Sequence, residues 1–192
     1  MRPLDALAFG GEGLISEVIK KTTGCNGSHI ASVLSCATIE GVSFVQVAES
    51  TSLGDGFAGV QINRMSDHIR DYEGEIWWLP LKKELRAELD VISVVNYLLA
   101  ERGKPYDAPQ AVMSRLDDLA LIPENDEDLT KLFCSEYYTQ ACKVGFFNTR
   151  YENLLVKQFA DINPSTQTPA DCFNFGIYDE PHQIKGELKE LF

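Results

Sequence analysis

The sequence has no stretch approaching the roughly 18 consecutive apolar residues of a membrane-spanning helix, and its opening Met-Arg-Pro-Leu-Asp lacks an apolar run of signal-peptide length. A cytoplasmic protein with no integral membrane contact is the expectation. Basic side chains are scarce: 17 Lys and Arg against 29 Asp and Glu leave a formal charge of -12, which repels nucleic acid phosphates and excludes nucleic acid as a partner. The five cysteines, Cys25, Cys36, Cys134, Cys142 and Cys172, are odd in number and widely spaced, so reduced thiols are expected rather than a disulfide framework. No CxxC or HxxxH pair is present. The nearest metal-ligand grouping is Cys25 with His29 and Cys36, and neither a metal nor a cofactor is expected. There is no GxSxG elbow, which removes Ser28, Ser50 and Ser135 as serine nucleophiles. Internal repeats and low-complexity tracts are also missing.

What the chain does have is enough apolar material, 44% of 192 residues, for one core, so residues 1–192 are read as a single domain. Leu4 to Phe9 reads as a short strand closed by Gly10-Gly11, and Leu14 to Lys21 as an amphipathic helix broken by Thr22 to Gly27. His29 to Ala37 alternates between two faces, with His29, Ala31, Val33 and Ser35 on one. Val42 to Ala48 pairs with it through a turn at Glu40-Gly41 and ends in Glu49-Ser50. A loop over Gly54 to Gly59 leads to a short strand, Gly59 to Asn63, then a helical turn over Ser66 to Tyr72 capped by Ser66. A strand follows over Glu75 to Leu81. Leu85, Leu89, Ile92, Val95 or Asn96, and Leu99 form one face of a single amphipathic helix over Glu84 to Glu101. Pro105 to Ala111 opens a new segment, and Pro123 to Asp128 is an acidic loop. Tyr151 to Phe159 reads as a helix, Asn163 to Asp179 as irregular, and the charged end as helical.

The chemistry centres on Lys131-Leu-Phe-Cys134-Ser135-Glu136. Cys134, Tyr138, Ala141 and Gly145 recur at helical spacing, which puts Cys134 in the first turn of a helix. There the helix dipole, about half an elementary charge, and unpaired N–H groups favour thiolate, lowering a thiol pKa from its free value of about 8.5. A nucleophilic cysteine also needs a base and a group that orients the base. His29 begins one strand and Glu49 ends its antiparallel neighbour, so the hairpin brings imidazole and carboxylate side by side. The plain alternatives are a small core hydrophobe for Cys134, a structural ring for His29 and a solvated carboxylate for Glu49. His68 and His182 read as surface residues, and Cys142 lies too far into the helix to gain from the dipole. Phe57, Trp77, Trp78 and Phe133 are core residues or the lining of an apolar pocket, with at most one of the two tryptophans on any one face.

In order, Asp5, Thr22-Thr23, Gly-Ser28-His29-Ile30, Val47-Ala48-Glu49-Ser50, Gly103-Lys-Pro105-Tyr106-Asp107 and Phe133-Cys134-Ser135-Glu136 resemble the circularly permuted NlpC-like hydrolases of the papain-like superfamily. The usual Val-Gly after the histidine is here Ile30-Ala31, the opening Gly-Asp is Leu4-Asp5, and the gap from Tyr106 to Cys134 is long. The resemblance implies an α+β permuted papain-like fold, with an antiparallel sheet packed against the helix carrying the cysteine. It also implies Cys134 as nucleophile, His29 as base and Glu49 as its orienting group, with Tyr106, Ser28 and Ser135 in substrate binding. The implied reaction is attack on an amide or ester carbonyl of a small peptide, amide or acyl-lipid substrate through an acyl-enzyme. Lipid acyl hydrolysis or transfer on the same triad, and a catalytically silent binding module, are the alternatives.

Overall fold

The computed structural model describes residues 1–51, 57–106 and 132–192. The fold is α+β, built on a six-stranded sheet of order β4-β3-β2-β1-β5-β6 in which every neighbouring pair is antiparallel. The strands are β1 (Ala6–Gly11), β2 (His29–Ile39), β3 (Val42–Thr51), β4 (Gly59–Arg64), β5 (Gly74–Leu79) and β6 (His182–Lys185). The helices are α1 (Leu14–Thr23), α2 (Met65–Asp71), α3 (Lys83–Arg86), α4 (Val91–Ala100), α5 (Cys134–Gly145) and α6 (Pro169–Phe173).

The β2–β3 hairpin has the two-residue turn that its sequence suggests. Glu40 and Gly41 both take positive φ, 51° and 80°, the handedness that matches strand twist, and Ile39 pairs with Val42. Leu34 is an extra residue in β2, because Val33 faces Val47 while Ser35 faces Gln46. The simple alternation therefore holds from His29 to Val33 and not through Ser35. β1 starts at Ala6 rather than Leu4, since Leu4 has φ 64° and its carbonyl accepts the Tyr138 hydroxyl. The buried Asp5 carboxylate holds this corner, accepting from the Leu81 N–H (2.9 Å), the Trp78 indole (2.9 Å) and Arg86.

Two apolar clusters cover the two faces of the sheet. The larger joins Ile30, Leu34, Ala48 and Trp77 to Val94, Leu98, Cys134, Tyr137, Tyr138 and Ala141; the smaller holds Leu7, Phe9, Ala31, Val33, Val47, Met65 and Ile76. The single helix expected over Glu84 to Glu101 is two. Asp90 starts a new one, its carboxylate accepting from the Ser93 N–H at 3.0 Å, and the change of phase buries Val94 and Leu98 while Ile92 and Leu99 stay exposed. The cap of α2 is Arg64 rather than Ser66. Residues 151–159 hold turns and a 3-10 helix (Lys157–Ala160) instead of an α-helix, and the tail contains α6 and the edge strand β6. The segments expected over 107–111 and Pro123 to Asp128, and residues 54–56 of the 54–59 loop, lie outside the described residues. Among the described residues no helix is long and apolar enough to cross a membrane.

The seam between α4 and α5 is tight at Gly145. A Cβ there would stand 2.6 Å from Val94 Cγ2 and 2.7 Å from Leu89 Cδ1, and the valine has little rotamer freedom with which to move away. Gly145→Ala is expected to cost about 1–3 kcal/mol, read as a lower urea midpoint at unchanged m-value. An unchanged midpoint would mean that the seam yields without strain.

Candidate active site

Cys134 is the first residue of α5, as its spacing predicts. The N-cap, Phe133, has no side-chain acceptor, so the cap position itself covers none of the first-turn N–H groups, and only its own N–H is turned back, onto the Glu136 carboxylate at 3.4 Å. The start of the helix is tied to the sheet beside Glu49, because the buried Ser50 hydroxyl donates to the Leu132 carbonyl at 2.5 Å. Pro105 and Tyr106 bridge to Gly59 and Leu132, which ties this end of β4 to the same place.

The imidazole and carboxylate meet on one face of the hairpin, two residues off the directly opposite register expected. Ser32 faces Ala48, so continuing the ladder sets Glu49 against Ala31, and His29 lies diagonally from it on the same face. His29 Nε2 and Glu49 Oε2 are 2.7 Å apart. That contact leaves Nδ1 as the ring nitrogen for the Cys134 side chain, with which His29 shares a hydrogen bond. Burial opposes a charged imidazole, but the Cys134 sulfur and the Glu49 carboxylate outweigh it and push the His29 pKa up to about 10. Burial would also raise the Glu49 carboxyl, yet the contacts with His29 and His68 hold it well below the usual carboxylate range. Cys134 is 3% exposed and the His29 side chain 12%, so the pair is largely buried.

The other thiols differ. Burial pushes up those of Cys25, Cys142 and Cys172, while Cys36 is exposed on the β2–β3 hairpin. Cys25 donates to the Leu191 carbonyl at 3.2 Å. Among the described residues no set of three His, Cys, Asp or Glu side chains is disposed to hold a metal ion.

Tyr106 is half-buried, its N–H donating to the Ala58 carbonyl at 3.0 Å. Ser28 and Ser135 are buried, and their hydroxyls donate to the carbonyls of Phe9 (3.2 Å) and Gln167 (2.6 Å), which gives both a backbone-bracing part. Trp77 belongs to the larger cluster and Trp78 packs on the smaller, on opposite faces of β5. Phe133 is buried and Phe57 exposed. A cavity of about 600 Å³ lined by Glu17, Val18, Lys20, Lys21, Asn26 and Lys189 shares no residue with the site.

Two site residues escape the sequence reading. Asn63 donates its amide to Glu49 Oε1 at 2.8 Å, and His68, expected at the surface, brings Nε2 to 2.7 Å of the same oxygen. The latter is close without the alignment of a hydrogen bond. The polar alternation of Gln61 and Asn63 beside Glu49 is the one available signal for Asn63. His68 depends on α2 folding back over β3, which no local pattern reports.

No family model and no curated protein matches this chain. Among solved structures the fold is similar to that of the metalloprotein yiiX from Escherichia coli O157:H7 (DUF1105), with a TM-score of 0.57 and 15% identity over 98% of each chain. At that identity the likeness speaks for the fold alone.

Proposed function

We propose that the chain is a cysteine-dependent acyl hydrolase of permuted papain-like, NlpC-like type, acting on an amide or ester carbonyl. The observation that carries this reading is the meeting of Cys134, His29 and Glu49 from two distant parts of the chain at the start of a helix. The Cys134 sulfur attacks the carbonyl carbon, forming a C–S bond, and the negative charge on the carbonyl oxygen is met by N–H groups at the head of α5. Collapse breaks the C–N or C–O bond as His29 gives a proton to the leaving group. Water then attacks the thioester carbonyl as the neutral His29 takes its proton, the C–S bond breaks, the carboxylic acid leaves, and the Cys134 thiolate beside a protonated His29 is restored. Glu49 keeps the ring turned toward Cys134 throughout and stabilises it whenever it carries the proton. The term metalloprotein belongs to yiiX; here His29 and His68 reach different oxygens of one carboxylate, and no step runs through a metal.

Incubation with p-nitrophenyl esters of short and long acyl chains and with aminoacyl p-nitroanilides, followed by intact-mass analysis, is expected to show an acyl adduct on Cys134, absent from Cys134→Ala. Preference for long chains, or transfer to an added amine, would identify the lipid-acyl or transferase form. No adduct from either class, with Cys134 alkylated no faster than Cys36, would leave only the binding module.

A further inference from the structure

The inference deepens the proposed function and rests on it; it concerns the imidazole that the sequence assigns to the surface. The last side-chain torsion of a glutamate is broad and nearly two-fold, so one contact does not keep a chosen oxygen in line with a neighbouring ring. Glu49 is held on both sides. Oε2 meets His29 Nε2 at 2.7 Å, and Oε1 takes the Asn63 amide at 2.8 Å with His68 Nε2 at 2.7 Å. The His68 side chain is 18% exposed and packs edge-on against Phe9, 5.1 Å between centroids, the same ring that His29 meets at 5.4 Å. Its Nε2 is buried without a hydrogen-bond partner, and the polar atom facing it among the described residues is the Glu49 carboxylate. Burying an imidazole nitrogen is unfavourable when packing is its only return, since an aliphatic side chain would cover Phe9 without that cost.

We propose that His68 is a positioning residue of the site. It brackets Glu49 from the side opposite His29, so that the carboxylate stays aimed at the imidazole that serves Cys134. Charged and titratable groups on the surrounding elements are His29 on β2, Glu49 on β3, Arg64 on β4, Glu75 on β5 and Lys185 on β6. Lys185 Nζ donates to the His68 carbonyl at 3.4 Å, and Asp67, Asp71 and Tyr72 lie on or beside α2 itself. None of these changes between two His68 variants, so a comparison of variants isolates the ring.

The test is the rate of iodoacetamide alkylation of Cys134 against pH, followed by peptide mapping, with Cys36 of the same molecules as the reference. The wild type is read first: a Cys134 no faster than Cys36 removes the proposed function itself. With the wild type fast, His68→Leu is expected to slow Cys134 about tenfold at neutral pH and to move the acid edge of its profile upward. His68→Gln, whose amide nitrogen reaches the place of Nε2, is expected to restore most of the rate. Thermal melts of both variants check folding; should the leucine variant fail to fold, His68→Asn, whose amide stops short, takes its place. A leucine or asparagine variant with the wild-type rate and edge would overturn the inference, as would a glutamine variant as slow as either.

Discussion

His29→Ala is expected to slow alkylation of Cys134 at neutral pH by at least about 30-fold, because an unassisted thiol of pKa near 8.5 is only a few per cent thiolate there. Turnover of an amide is expected to fall further, by about 10²–10⁴, since the proton for the leaving nitrogen comes from the same ring. Cys36, exposed on the hairpin, should be unaffected and serves as the internal standard. The pH dependence separates the two duties of His29. Its pKa is pushed up to about 10, so the ring stays protonated through neutrality. Amide turnover should therefore hold until the pH approaches that value and then decline as the acid is lost, while alkylation, which needs only the sulfur, continues. An alkaline limb near the free imidazole value of about 6.5 would mean that neither Cys134 nor Glu49 engages the ring in solution.

The parts of this site that were legible in the sequence are those set by local rules. A turn of two positive-φ residues fixes how β2 and β3 meet, and with it the approach of His29 to Glu49; helical spacing puts Cys134 at a helix start. The diagonal placement was not legible, because register depends on how the ladder runs past the turn and on the bulge at Leu34. A single helix over 84–101 differs from the two observed for a similar reason: a continuous apolar pattern hides a break that the Asp90 cap and the packing against α5 enforce. His68 illustrates a third limit. Its neighbours in sequence are polar, and its burial comes from where α2 lies rather than from anything in residues 65–71. The α+β class and antiparallel sheet follow from strand and turn signals, whereas β6 and α6, built from a short tail rich in turn residues, owe their form to the edge of β5 and to α5.

Glu49→Gln is expected to destabilise the fold strongly. The carboxylate is 2% exposed and faces His29, Asn63 and His68, all of which approach with nitrogen. Glutamine keeps the volume but offers one acceptor oxygen and one NH2 donor, so a nitrogen must face a nitrogen whichever way the amide turns, and a charged His29 loses its counter-ion. Breaking a buried pair costs about 3–5 kcal/mol, and about 2–4 °C of Tm goes with each kcal/mol in a chain of this size, which predicts a fall of roughly 10 °C. The dependence on pH follows from the two shifts. Glu49 is depressed, so its contribution is present above the ordinary glutamate value of 4.5 and is lost as pH falls toward the lower folded value. His29 is raised, so its contribution is full below 6.5 and is lost as pH rises through about 10. The gap in Tm between wild type and Glu49→Gln should thus be widest between these limits and narrow on the alkaline side as pH approaches the raised imidazole value, leaving the part due to the mismatched hydrogen bonds. A gap that stays level from neutral to alkaline pH would show that the carboxylate supports the fold by shape and hydrogen bonding alone and does not hold the charge on His29, in which case the proton that the reaction needs must come from elsewhere.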